Sequence, residues 1–197
     1  MNFDQTLIDT LIEEAQNSRK YRDLDIPRAT LLDILTHESQ RSNSRKELED
    51  KFRKSLHNII APYLEDINYP VETVALKNLH DQNPSEADLK SWCKKRMSLH
   101  ASSRERLPYL DTFYQTITAA IGTPNTILDL ACALDPLGLP WISLSQSTRF
   151  LAYDIHKPRL LFLQTFFNSF YPNASAIHQD ILTDIPTQSA DCAFFFK

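Results

Sequence analysis

Glycine is almost missing from this sequence: Gly122 and Gly138 are the only two in 197 residues. A loop that cradles phosphates must bring its backbone against the anion, and it uses glycine to do so. A G-x-G-x-x-G fingerprint and a glycine-rich phosphate loop are therefore both excluded. Cysteine is scarce too. Cys93, Cys132 and Cys192 are odd in number, lie far apart and form no C-x-x-C pair. That argues against a zinc site and for reduced thiols in a cytoplasmic protein. No apolar run is long enough to span a bilayer. The opening residues, Met1 to Gln5, lack the basic and apolar regions of a secretory leader.

An overall positive charge is also lacking. The net charge is -4 and the pI about 5.8, which excludes a protein that is basic throughout. The distribution is uneven, however. Residues 90 to 106 hold Lys90, Lys94, Lys95, Arg96, Arg104 and Arg106 against Glu105 alone. Residues 41 to 54 hold six cations, among them Arg45, Lys46, Arg53 and Lys54, against three acids. From 108 onwards, seven acids outnumber four cations. Positive charge is thus gathered in the first half. A charge run by itself fits a solvated face as well as a polyanion site.

The first hundred residues carry helical periodicity. Leu7, Leu11 and Ile12 share a face behind a cap at Asp4, and Pro27 suits a first helical turn ahead of Leu31, Leu32 and Leu35. Ser44 to Glu47 fits a capping box for a helix bearing Leu48, Phe52, Leu56, Ile59 and Ile60, which Pro62 would end. Ser85 and Asp88 cap another helix, with Leu89 and Trp92. The second half changes period. Thr126–Leu130, Arg149–Asp154, Ala174–His178 and Ala190–Phe196 read as short strands, and Pro158–Phe170 as a helix between the second and third. Strands alternating with helices predict an α/β fold with a parallel sheet. The boundary is placed near residue 100, giving a helical part, 1–100, and a sheet part, 101–197. Ala101 to Ile121 would connect them. Pro108 suggests that the helix starts there and leaves Ser102 to Leu107 as a loop.

Open α/β sheets bind ligands beyond the carboxyl ends of their strands. Asp129, Asp154 and Asp180 lie in or just after the first, second and third strands. An acid ending the second strand can accept both ribose hydroxyls of a nucleoside, one after the third can accept an adenine amino hydrogen, and the first can face a cation. The turn after the first strand is Ala131-Cys132-Ala133-Leu134-Asp135-Pro136, without glycine and with an acid that would repel phosphate. A nucleoside without phosphate, such as S-adenosylmethionine, fits this better than NAD or ATP.

Two segments carry a family resemblance. Ser98 to Leu107, followed by Leu110 to Tyr114, resembles the junction of the 16S rRNA guanine-N7 methyltransferases that confer aminoglycoside resistance. Ile127 to Leu137 is similar to their first cofactor motif. Tyr153 to His156, Gln179 to Leu182, and Phe196-Lys197 follow in matching order. The resemblance implies a Rossmann-like class I methyltransferase sheet of about four strands, stopping before it is complete, behind an all-α rRNA-binding part. It also implies S-adenosyl-L-methionine as cofactor, no metal, and 16S rRNA in the 30S subunit as partner for a monomer, unless another chain covers the open sheet edge. At matching positions Arg106 would pair with the cofactor carboxylate, and His100 and Ser102 would line the same edge. Asp129, Ala131 and Ala133 would hold the methionine part. Asp154 and Ile155 would take the ribose, Gln179 and Asp180 would flank the adenine, and Lys197 would stand at the active-site mouth. Arg45, Lys46, Arg53, Lys54, Lys94, Lys95 and Arg96 would meet RNA.

Two positions depart from the family pattern: Ala133 replaces a usual glycine and Asp135 a usual asparagine. If residue 133 has positive φ, alanine is strained there. Asp135 adds a charge at the site mouth. A non-catalytic RNA- or cofactor-binding remnant and a small-molecule methyltransferase remain as alternatives.

Overall fold

The computed structural model describes residues 3–60 and 67–196; Pro62 and Lys197, and the roles expected of them, lie outside these. Three N-terminal helices enclose a core of their own: α1 (Gln5–Asn17), α2 (Arg28–Ser39) and α3 (Arg45–Ile60). Asp4 caps α1 by accepting from the Thr6 amide, so its apolar stripe of Ile8, Leu11, Ile12 and Ala15 starts in register with the core. Leu31, Leu35, Leu48, Phe52 and Leu56 complete that core. Pro27 stands one step before the helix, at its cap. Leu32 and Ile59, expected inside, are exposed. Ser44 caps α3 through the Glu47 amide, but the Glu47 carboxylate returns to the amide of Asn43 rather than of Ser44.

The next helices belong to a different core. α4 (Tyr69–Asp81), which has no counterpart in the sequence reading, and α5 (Glu86–Met97) contribute Tyr69, Leu76, Cys93 and Met97 to the hydrophobic cluster on one face of the sheet. Among the described residues, the change from one core to the other falls between Ile60 and Ile67. Ser85 and Asp88 form the reciprocal capping box of α5. The connection that follows is helical where a loop was expected. α6 (Ala101–Arg106) runs into a 3-10 turn at Leu107–Tyr109 that absorbs Pro108, and α7 (Leu110–Ile121) follows. Proline at the start of a new turn costs no hydrogen bond, so the chain bends there without stopping.

Four parallel strands lie in the order β3-β2-β1-β4: β1 (Thr126–Leu130), β2 (Arg149–Asp154), β3 (Ala174–His178) and β4 (Cys192–Phe194). The last is shorter than the apolar run suggested. Alternation sends Ile127, Phe150 and Ala152 to the larger core and Leu128, Leu151 and Tyr153 to a small cluster on the other face. Between β2 and β3 runs α8 (Lys157–Phe170), burying Leu160, Phe162, Leu163, Phe166 and Phe167. A 3-10 segment, Asp135–Trp141, crosses from β1 towards β2 and packs beneath α5 and α7.

Among the described residues, two polar contacts tie the three-helix unit to the carboxyl ends of the strands. Lys157 at the start of α8 pairs with Asp25, and the Thr30 hydroxyl on α2 donates to Asp180 Oδ2 at 2.5 Å in a buried setting. No helix among the described residues is long and apolar enough to cross a membrane.

The 3-10 segment depends on close approach. A Cβ on Gly138 would stand 1.9 Å from the Tyr114 hydroxyl and 2.2 Å from its ring. Tyr114 is itself buried and stacks near Trp141. Gly138→Ala is expected to lower stability by about 1–3 kcal/mol, the cost of overpacking. Urea denaturation checks it, and an unchanged midpoint would mean that Tyr114 moves aside freely.

Candidate functional site

The acids at the strand tips occupy three different environments. Asp154 ends β2 and is fully engaged within the chain. Its Oδ2 accepts from the Ala133 amide at 2.9 Å and from Arg159 Nη1 at 3.1 Å, and its Oδ1 accepts from the His156 amide at 2.8 Å. Arg159, only 1% exposed, donates through Nε to the Tyr69 hydroxyl at 3.0 Å. Burial works against its charge, but Asp154 and Tyr69 outweigh that and hold its pKa above the ordinary value. Sequence reasoning missed Arg159. An arginine two positions into a helix looks like any solvated cation; the one available signal was its place five residues after a strand-ending acid.

Asp180 is buried between two donors, the Thr30 hydroxyl and the Leu182 amide. Gln179 donates to the Asp184 carbonyl at 2.7 Å, and its own amide donates to the Asp154 carbonyl at 3.1 Å. Ile155 is half-buried, with its carbonyl 3.0 Å from His178 Nε2. These four residues form one edge, beside β2 and β3. Nothing in the sequence near Thr30 could have placed it there, since it joins Asp180 across 150 positions.

The other edge lies at the tip of β1. Asp129 is buried and its Oδ1 has no hydrogen-bond partner. Burial, followed by the nearness of Asp135, holds its carboxyl well above the usual carboxylate range, while Arg106 opposes the shift. Arg106 leaves α6 and gives Nη2 to Asp135 Oδ1, and Ser103 Oγ lies 3.4 Å from the same oxygen. The Arg106 Nε is buried without a partner, and its guanidinium lies over the Phe113 and Phe196 rings at 5.7 and 5.3 Å. Burial pushes Asp135 up to about 6 against the pull of Arg106. His100 is buried alongside, with its pKa lowered to about 4 by burial and then by Arg159. Ser102 is half-buried and reaches the Phe196 carbonyl at 3.5 Å. Cys132 is buried and its thiol is raised by burial, so it is no nucleophile.

The turn between the edges is strained. Ala131 has φ 53° and Ala133 φ 48°, in the left-handed region that glycine enters freely. The strain anticipated at Ala133 is present, and Ala131 shares it. The turn is held by the Asp154 bond to Ala133 and by the Cys132 amide donating to the Tyr153 carbonyl at 2.9 Å. Ala131 is exposed above it. The donor set is therefore one unpaired buried acid and one incompletely paired arginine around a tight turn, bordered by acids already hydrogen-bonded.

The basic residues divide. Lys46, Lys54, Lys94 and Lys95 are exposed. Arg45 pairs with Glu49 along α3, and Arg53 lies 3.9 Å from Glu14. Arg96 is used internally: it pairs with Glu72 at 2.7 Å and stacks on Trp92 at 4.1 Å.

The sequence model of the FmrO ribosomal RNA methyltransferases matches residues 17–197. A 16S rRNA (guanine(1405)-N(7))-methyltransferase of Serratia marcescens is 33% identical over 180 residues, which make up 91% of this chain and 64% of that protein. One of Micromonospora rosea is 38% identical over 118 residues, 57% of this chain and 42% of that protein. The chain thus spans about half the length of the curated relatives it matches. Among solved structures, the 16S rRNA methylase RmtB superposes with a TM-score of 0.76 at 30% identity, covering 94% of this chain and 70% of that one.

Two measurements check this geometry. Ala133→Gly is expected to raise stability by about 1 kcal/mol by relieving the left-handed backbone, read as a higher urea midpoint. A lower midpoint would show that the turn costs nothing in alanine. His156 caps α8 by accepting from the Arg159 amide through Nδ1, and burial, then Arg159, lower its pKa to about 4. Folded His156 and His100 therefore bind fewer protons than their unfolded forms between about pH 4 and 6.5. Their contribution is complete above that window and is lost as pH falls through it. Asp135, with a raised carboxyl, acts in the opposite sense over part of the range. The informative quantity is thus the difference from His156→Asn, which keeps a capping acceptor but cannot titrate. Between pH 7 and 5 this variant is expected to lose about 1–2 kcal/mol less than the parent. Equal losses would mean that His156 is solvated.

Proposed function

The chain belongs to the FmrO ribosomal RNA methyltransferase family, and from that membership we propose that it binds S-adenosyl-L-methionine and serves methylation of guanine N7 in 16S rRNA. The observation that carries the reading is the pair of incompletely satisfied buried groups of opposite sign at the tip of β1, Asp129 Oδ1 and Arg106 Nε. A buried polar atom left without a partner costs free energy comparable to a lost hydrogen bond, so such atoms call for a ligand. An amino-acid tail offers an ammonium for the acid and a carboxylate for the guanidinium.

The bound cofactor supplies an electrophilic methyl group on a sulfonium. What the chain supplies is position. Asp129 and Arg106 hold the tail, with His100, Ser102 and the Ala131–Ala133 turn around it. Asp154 and Ile155 border the ribose, and Gln179 and Asp180 the adenine. Guanine N7 has an in-plane lone pair and no proton to lose, so these residues need not include a general base. They must hold the two reactants in line and keep water out. The target base has to leave its stack to arrive there. Lys46, Lys54, Lys94 and Lys95, with Arg45 and Arg53, would contact phosphates of the folded RNA. Arg96 acts more as a brace between α4 and α5 than as a phosphate ligand. The setting is cytoplasmic and the partner is the 30S subunit, with the guanine numbered 1405 in the relatives' names as target. The consequence would be aminoglycoside resistance.

Calorimetry with S-adenosylhomocysteine and filter binding to 16S rRNA test the two halves of the reading. Lys94→Glu with Lys95→Glu is expected to weaken rRNA binding at least tenfold and to flatten its salt dependence, leaving cofactor affinity within about twofold. Saturable rRNA binding without any cofactor binding would favour a non-catalytic RNA-binding remnant instead.

A further inference from the structure

The tip of β1 holds one acid more than a zwitterionic tail needs, and that acid, Asp135, already pairs with Arg106. An amino-acid tail carries one ammonium and one carboxylate, and one acid with one base would complement it. Here there are two acids, Asp129 and Asp135, for Arg106 alone. The other buried base, Arg159, is committed to Asp154 and Tyr69. The groups that act on Asp135 come from several elements. From α6 come Arg106 and Ser103. From α7, the Tyr114 hydroxyl approaches the Asp135 carbonyl at 3.4 Å. From β1 and its turn, Asp129 and Cys132 act on it electrostatically, and from α8, Arg159 does.

The Asp135 side chain is 3% exposed and that of Arg106 15%, so water screens their attraction little. The guanidinium is pinned from its other sides by Phe113 and Phe196. A second carboxylate arriving at Arg106 would have to share donors with Asp135 and stand beside a like charge.

Building on the cofactor reading above, we propose that Asp135 is an internal stand-in for a ligand carboxylate, so that this pocket reads mainly the adenosyl and ammonium parts of its ligand and gains little from the tail carboxylate. Asparagine at this position would leave Arg106 its charge and restore one acid to one base. Asp135 is thus a specificity-determining residue. It narrows the advantage of a zwitterionic tail over one that is cationic only.

Calorimetry on the full chain with three probes tests this: S-adenosylhomocysteine, its decarboxylated amine, and 5′-methylthioadenosine, which has no tail. The parent is expected to bind S-adenosylhomocysteine no more than about tenfold more tightly than the amine. In Asp135→Asn that ratio should rise by roughly tenfold or more, the worth of a freed charge-assisted hydrogen bond, with methylthioadenosine unchanged within about twofold. Asp135→Ser, which also removes the charge, should move the ratio in the same direction and guards against a folding defect in one variant. If the ratio is unchanged in both variants while methylthioadenosine still binds, the stand-in is overturned and the cofactor reading survives. If none of the three probes binds the folded parent, both fall.

Discussion

One carboxylate organises the carboxyl end of the sheet. Asp154 joins β2 to the β1 turn through Ala133, to the start of α8 through His156 and Arg159, and by way of Arg159 to α4 at Tyr69. A buried ion pair of this kind contributes little net stability, because desolvating two charges costs about what their attraction returns. Its value is that it specifies. Removing one partner strands the other in a dry interior at a cost of about 3–5 kcal/mol, so alternative placements of the turn, the helix and α4 are strongly disfavoured. The strained alanines persist because this network over-determines them.

The same engagement bears on what the strand-tip acids can do. Acids in sequence order at strand ends suggest three equivalent ligand groups. In the fold Asp154 and Asp180 already hold internal donors, and only Asp129 has a buried oxygen without one. Their differences come from partners far away in sequence: Arg159 for Asp154, Thr30 for Asp180, and Arg106 with Asp135 for the surroundings of Asp129. A nucleoside meeting the β2–β3 edge would find acids whose geometry is set in advance, and one meeting the β1 tip would find two buried polar atoms, Asp129 Oδ1 and Arg106 Nε, still without partners.

Much of the architecture was legible because it is local. β3 and the first two strands follow apolar runs with sharp ends, and the capping signals at Asp4 and Ser85 placed α1 and α5. α4 was missed because Tyr69, Val71, Val74 and Leu76 give only a weak apolar stripe, and just Tyr69 and Leu76 of it are buried. Its local signals are brief, the Asn68 side chain capping the Val71 amide and Pro70 in the first turn, and packing against α8 and the sheet core adds to them. Pro108 misled for a related reason, since a 3-10 turn lets proline join two helices. The family resemblance located the site residues. It could not say which of them the chain already occupies, because Arg106 looks the same in sequence whether or not Asp135 holds it.

The Thr30 hydroxyl has a mechanical consequence. It is one of two donors to a buried carboxylate at the sheet's edge, and it belongs to a helix whose other contacts lie in a separate core. A shift of α2 by a fraction of an ångström would leave Asp180 short of a donor, and the free energy of that loss would be felt wherever Asp180 acts. The helical unit and the sheet therefore cannot adjust independently. Strain imposed on one by a large, irregular surface is delivered to the other through a single short hydrogen bond, and by reciprocity whatever steadies Asp180 also steadies the posture of α2.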